Sequence, residues 1–351
     1  MEFNRASIPF SVIWLLYRSR VFRFTRWGEF AIAIAPLSLI WFALKSIKVI
    51  FFEFCEPTIA TIPSSPTLLR VNLSSVRFCR FEDSDIIFAP FSETYQLASF
   101  ARKFTTRLQL NTNIDIRVSQ PKYGFISERK YILREVIRLK DIPVIFNSEK
   151  HIINMKSAFI PETRVQVYFV ENNSLYKQLP DLIYKARNGR VFSDIDARFS
   201  FFNKAALDTL QSLFWTPDII ICNDWQTSLI PTLLKEQFVK ENFYSNIKSV
   251  YVIHSINEYR KFSKSVYTML DLESPYNSKK IDNHIQAMEH ADLTIFLNYE
   301  SENMLEKLKK QKDVLEKFES TNNIIIDVPK KTNGEIWENI ANTIESACRD
   351  L

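Results

Sequence analysis

An α/β fold built on a largely parallel sheet, with an apolar membrane helix ahead of it, is what this sequence predicts. Three observations carry that reading. Ile219 to Cys222 is a short apolar run without alternation, closed by Asn223-Asp224, the pattern of a strand buried on both faces. Comparable runs recur at Val165 to Val170, Tyr251 to Ile253 and Thr294 to Leu297, each ending in polar residues. Near the start, Phe30 to Leu44 is fifteen residues without a charge.

Composition bounds the possibilities. A chain of 351 residues, 46% hydrophobic and 14% aromatic, holds material for one or two cores and excludes disorder. Only four glycines are present (Gly28, Gly124, Gly189, Gly334), far below the usual share of about 7%, so glycine-rich loops are scarce. Cys55, Cys79, Cys222 and Cys348 show neither metal-ligand spacing nor a disulfide framework and read as reduced thiols. Residues 1–52 carry seven basic and two acidic residues, which accounts for the whole net charge of +5. The remainder is neutral, so it has no basic footprint for nucleic acid.

From the N-terminus, residues 1–55 read as a basic, hydrophobic segment. Ile8 to Tyr17 suits an interfacial helix or a partner's groove. Phe30 to Phe52 is 23 residues, about 34 Å as a helix and long enough for a hydrocarbon core of about 30 Å. Pro36 would kink that helix, while Lys45 and Lys48 reach toward an interface. Arg18, Arg20, Arg23 and Arg26 would hold the N-terminus on the matrix or cytoplasmic side. A mitochondrial presequence, or an amphipathic hairpin buried against another subunit, are the competing readings. Residues 56–74 form a Pro/Ser-rich linker, residues 75–330 the α/β body and residues 331–351 a terminal helix.

In the body, Asp85 to Phe88 reads as the first strand and Ile114 to Val118 as the second. After the strand Ile219–Cys222, Asn223 or Asp224 is placed to cap a helix carrying Leu229, Leu233 and Leu234. A polar corner at the carboxyl end of a strand is where open α/β folds bind ligands.

That corner carries a family likeness. The stretch Asp218 to Pro231, DIIICNDWQTSLIP, resembles the His-x-(Asn/His)-Asp-Trp signature of bacterial and plastid glycogen/starch synthases, two-domain glucosyltransferases that use ADP-glucose. Other motifs follow in family order over about residues 80–330: Pro121 to Gly124; VQVYFV from Val165; Asp196, Arg198, Phe199, Phe202 and Ala206; and His254 in place of the histidine in Thr-(Ile/Val)-His-Asn. Ala89, Pro90, Thr94, Leu97 and Ala98 keep the frame of the family's Lys-Thr-Gly-Gly loop. Its working residues differ: Glu93 stands for the lysine, Tyr95 and Gln96 for the glycines, and Ser99 for the aspartate. The resemblance thus implies a Rossmann-like domain, half of a GT-B-type glycosyltransferase. It implies that Glu93, Thr94, Tyr95 and Gln96 form a degenerate phosphate and sugar loop. Asn223, Asp224, Trp225, Gln226 and His254 are then vestigial family positions. NIIID from Asn323 would be the family's interdomain linker, with 24 residues after it, too few for a second domain.

Other chemistry finds little support. His151, His284 and His290 lack metal spacing, and Ser255 lacks a G-x-S-x-G context. Glu302 to Glu316 reads as one solvated amphipathic helix with a Glu306–Lys310 pair; Ile336, Trp337, Ile340 and Ile344 mark the terminal helix. The expected function is therefore non-enzymatic, without catalytic residues, cofactor or metal. In this reading the protein is an inactive glycosyltransferase-like accessory subunit, partnered by lipid and by other subunits of a membrane complex. The mitochondrial inner membrane suits it best and a plastid membrane second, with a respiratory or ATP synthase complex as host. The alternatives are a glucan or sugar-nucleotide binding module, and a residual ADP-glucose-dependent glucosyltransferase.

Overall fold

A computed structural model describes residues 48–52 and 94–351, apart from 112–113, 125, 161, 178–183 and 185–189. Twelve strands are assigned among the described residues, ten of them in one sheet. In chain order these are β1 (Lys48–Phe52), β2 (Asp115–Pro121), β3 (Arg134–Glu135), β4 (Ile142–Phe146), β5 (Glu149–Phe159) and β6 (Gln166–Glu171). Then come β7 (Ile219–Asn223), β8 (Lys248–Ile253), β9 (Lys261–Ser263), β10 (Lys280–Asp282), β11 (Leu293–Tyr299) and β12 (Asn323–Val328). The sheet runs β12-β11-β8-β7-β1-β2-β6-β5-β3, with β4 also on β5 and a separate β9–β10 ribbon. Strands β12 to β6 along this path pair in parallel; β5 turns antiparallel on β6.

β1 corrects the sequence reading at two points. Its backbone pairs with β2 from Lys48↔Asp115 to Phe52↔Ser119 and with β7 from Val49↔Ile219 to Phe52↔Cys222. Lys48–Phe52 is therefore a central strand, not the end of a membrane helix over 30–52, and Lys48 opens a strand instead of flanking a bilayer. The four-residue apolar run Val49–Phe52, all β-branched or aromatic, suits a strand, and periodicity alone does not separate that from a helix end. Among the described residues no helix is long and apolar enough to cross a membrane. Arg18, Arg20, Arg23, Arg26 and Lys45, the linker 56–74 and the strand expected at Asp85–Phe88 all lie outside the described residues.

The helices that matter for the crevice are α1 (Thr94–Asn111), α2 (Ile195–Ser212), α3 (Leu229–Glu236), α4 (Asn283–His290), α5 (Met304–Lys309), α6 (Lys312–Glu319) and α7 (Gly334–Arg349). α1 buries Leu97, Phe100, Ala101, Phe104 and Leu108, a stripe at helical spacing. It packs on α7, whose own stripe is Trp337, Ile340, Ala341 and Ile344. Asn333 caps α7 by accepting from the Ile336 N–H at 2.9 Å. The stretch Glu302–Glu316 is not one helix: it breaks between α5 and α6 at Gln311, and Glu306 pairs with Lys309 instead of Lys310. The expected linker at Asn323 is the edge strand β12.

Strand order places the crevice. From β1 the chain builds outward through β2 and β6 on one side, then returns to build β7, β8, β11 and β12 on the other. The reversal falls between β1 and β7, and the carboxyl ends beside it are where such sheets receive ligands.

Candidate functional site

β7 is buried along its whole length and delivers Asn223 and Asp224 to the carboxyl edge of the sheet. The polypeptide does not enter a helix there directly. It makes a 3-10 turn over Trp225–Thr227, and α3 begins only at Leu229. Trp225 is pinned under this turn, edge-on to Phe199 at 5.2 Å, Tyr184 at 5.4 Å and Phe262 at 5.8 Å. Gln226 is buried beside it, its backbone carbonyl accepting from Asn203 Nδ2 at 2.7 Å. Both residues brace the corner from behind.

Asp224 has φ 60° and ψ −176°, a backbone conformation that belongs essentially to glycine. Its bonds explain why it persists. The Asp224 N–H donates to Val252 O at 2.8 Å, tying the corner to β8. Its Oδ1 accepts from the backbone N–H groups of His254 and Ser255, both at 3.2 Å, and its Oδ2 accepts from the Ser255 hydroxyl at 2.6 Å. The carboxylate therefore does not cap α3, as the sequence implied. It bridges to the neighbouring strand end and preorganises two corners at once, with strain of about 1–3 kcal/mol stored between them.

His254 is 2% exposed. Its Nε2–H donates to Asn223 Oδ1 at 3.0 Å, and its Nδ1 accepts from the Tyr299 hydroxyl at the end of β11 at 2.9 Å. Phe100 of α1 meets the ring edge-on at 4.8 Å. Burial, reinforced by the neighbouring His284, pushes His254 down to about 3. At neutral pH the imidazole is uncharged, and it acts as a fixed hydrogen-bonding wall that aligns Asn223 and Tyr299.

The sequence-derived positions divide. Asn223, Asp224, Trp225, Gln226 and His254, expected as vestigial family positions, lie together at the carboxyl ends of β7 and β8. Glu93 lies outside the described residues, and Thr94 and Tyr95 open α1. Gln96 reaches Ser301, just beyond β11, through Nε2 and Oγ at 3.5 Å. The sequence reading did not place Tyr251, Asn257, Arg260, His284 or Tyr299 at this site, and no local pattern distinguishes them. Among the described residues no group of three or more His, Cys, Asp or Glu is arranged to hold a metal ion.

A family model described as the starch synthase catalytic domain matches residues 88–310. The glycogen synthase of Pelodictyon phaeoclathratiforme is 33% identical over 212 residues, 58% of this chain and 42% of the relative. That of Chlorobium chlorochromatii is 37% identical over 176 residues, 49% of this chain and 35% of the relative. The chain thus spans less than half the length of these relatives. Among solved structures, the catalytic domain of starch synthase IV from Arabidopsis thaliana, bound to ADP and acarbose, matches with a TM-score of 0.57. It is 15% identical and the match covers 80% of this chain and 51% of that one, a likeness of fold. These findings overturn the expectation of a protein that is not an enzyme. The matching model is a catalytic domain, and relatives at a third identity are named glycogen synthases. That expectation rested on the substituted positions Glu93, Tyr95 and Gln96 and on the length of chain after Asn323, and neither decides what the crevice does.

Proposed function

This chain belongs to the starch synthase catalytic domain family, and from that premise we propose that its α/β body is half of a glucosyltransferase, the half that holds an α-glucan acceptor. The donor in this reading is ADP-glucose, and the reaction transfers glucose to a glucan hydroxyl with release of ADP. The observation that carries it is Asp224. A strained aspartate clamped between two strand ends, beside the reversal point of a parallel sheet, is the signature of a preorganised binding corner. Asn223, His254 and Ser255 are buried and bonded to one another and to Asp224, so they fix the shape of the corner, and half-buried Asn257 stands at its outer side. The curated relatives named glycogen synthase and the solved starch synthase support the same chemistry.

The full chain is tested with labelled ADP-glucose and maltoheptaose. Incorporation into longer glucans is expected, with Asp224→Asn reducing kcat/KM at least tenfold while circular dichroism stays unchanged. Asn keeps the size of the side chain but not the charge that accepts three hydrogen bonds, and bonds to a charged group contribute about 1.5–3 kcal/mol each. No incorporation, together with no heat of maltoheptaose binding at millimolar concentration, would overturn the proposal.

A further inference from the structure

The back of the crevice holds a histidine that no motif on this chain points to. His284 stands in the first turn of α4 and is 0% exposed. Its Nε2–H donates to the Ser255 carbonyl at 2.8 Å, and its Nδ1 accepts from the Tyr251 hydroxyl at 2.7 Å. The same Nε2 lies 4.0 Å from Asp224 Oδ1. Together the two residues account for every polar group of Ser255. Asp224 takes the N–H and the O–H, His284 takes the C=O, and the hydroxyl oxygen also accepts from Asn257 Nδ2 at 2.8 Å.

His284 is itself held by its surroundings. Its backbone N–H donates to Asp282 Oδ1 at 3.1 Å, and Asp282 Oδ2 accepts from Arg260 Nε at 2.8 Å. The guanidinium returns to the crevice loop by donating to Asn257 O at 2.7 Å and reaches Gln311 Oε1 at 2.9 Å. The loop from His254 to Arg260 is therefore tied to the N-terminal turn of α4 at both ends, through neutral His284 at one and Arg260–Asp282 at the other. Asp224 fixes which groups of Ser255 point into β7. His284 fixes the peptide plane that follows, and with it the direction of Asn257.

We propose that His284 is a positioning residue that sets the Ser255–Asn257 peptide corner against which the glucan acceptor binds. The proposal rests on the glucan-facing reading of the crevice. A shape-preserving substitution separates positioning from packing: His284→Phe keeps the ring and removes both hydrogen bonds, while His284→Gln returns an amide N–H to the Ser255 carbonyl.

Three measurements on the full chain decide it. These are hydrogen exchange across residues 254–260, maltoheptaose binding by calorimetry, and kcat and KM for maltoheptaose with saturating ADP-glucose. In His284→Phe the amides of 255–257 are expected to exchange at least tenfold faster relative to β8. The KM is expected to rise at least fivefold, with kcat within twofold of wild type. His284→Gln restores both to within about twofold. If His284→Phe does not fold, Tyr251→Phe takes its place; it frees Nδ1 and is expected to raise KM and exchange in the same direction by two- to fivefold. A folded His284→Phe protein with wild-type exchange and KM overturns the proposal, as does His284→Gln behaving no better than His284→Phe. Wild-type protein that neither binds maltoheptaose nor transfers glucose refutes the glucan reading instead. Exchange at 255–257 then still reports whether His284 sets the corner.

Discussion

Acidification from pH 7 to pH 5 is expected to weaken this fold through two imidazoles it buries uncharged. His254 is pushed down to about 3 by burial and by His284, and His284 to about 4 by burial first. In the unfolded chain both titrate near 6.5. Between the two values the unfolded state binds more protons, so stability falls as pH falls below about 6.5 and continues to fall until the folded values are reached. Linkage over this window gives about 2 kcal/mol per histidine, or about 4 kcal/mol for the pair. Asp208 opposes this. Burial raises its carboxyl to about 6, so acidification lets the folded state take up a proton and returns about 1 kcal/mol. A difference experiment cancels that contribution. Urea unfolding followed by tryptophan fluorescence, at pH 7 and pH 5, is run on wild type and on His284→Gln. Wild type is expected to lose about 2 kcal/mol more than the variant on acidification, since the variant has one proton site fewer. Equal losses in the two proteins would refute the claim that His284 is held neutral by burial.

Two further outcomes follow from the same chemistry. Asp208→Asn is expected to raise stability at pH 7.5 by about 2 kcal/mol and to leave it unchanged at pH 4, where the wild-type carboxyl is already protonated; thermal melts at the two pH values check the sign. Glu93→Lys, which restores the charge that the family places at this position, is expected to lower KM for ADP-glucose about tenfold without altering maltoheptaose affinity, as a charge-assisted contact of about 1.5 kcal/mol would do. Steady-state kinetics with each substrate varied in turn decides that case.

Much of the framework was legible in the chain. The runs at Ile219, Tyr251 and Thr294 are strands because both faces of a parallel sheet are covered, which removes alternation and leaves continuous apolar sequence. The stripe from Ile336 to Ile344 became α7 for the complementary reason: one face is buried and the period is helical. Where two local solutions share one composition, the reading failed. KVIFF at Lys48 serves equally as a helix end or a strand, and pairing with β2 and β7 made it a strand. Leu305 to Leu315 reads as one amphipathic face, yet the chain breaks at Gln311, whose amide meets the buried Arg260.

The sequence by itself determined core strands such as β7, β8 and β11, the order of the corners and the family to which those corners belong, because burial and periodicity act on residues close along the chain. Only the tertiary structure decided what the corners are. Asp224 meets Ser255 across 31 residues, and His284 meets it across 29. A glycine-like backbone angle on an aspartate has no local signal at all. Those features exist because strands β7 and β8 lie side by side, and hydrogen bonds between their ends hold a conformation that neither segment would keep alone.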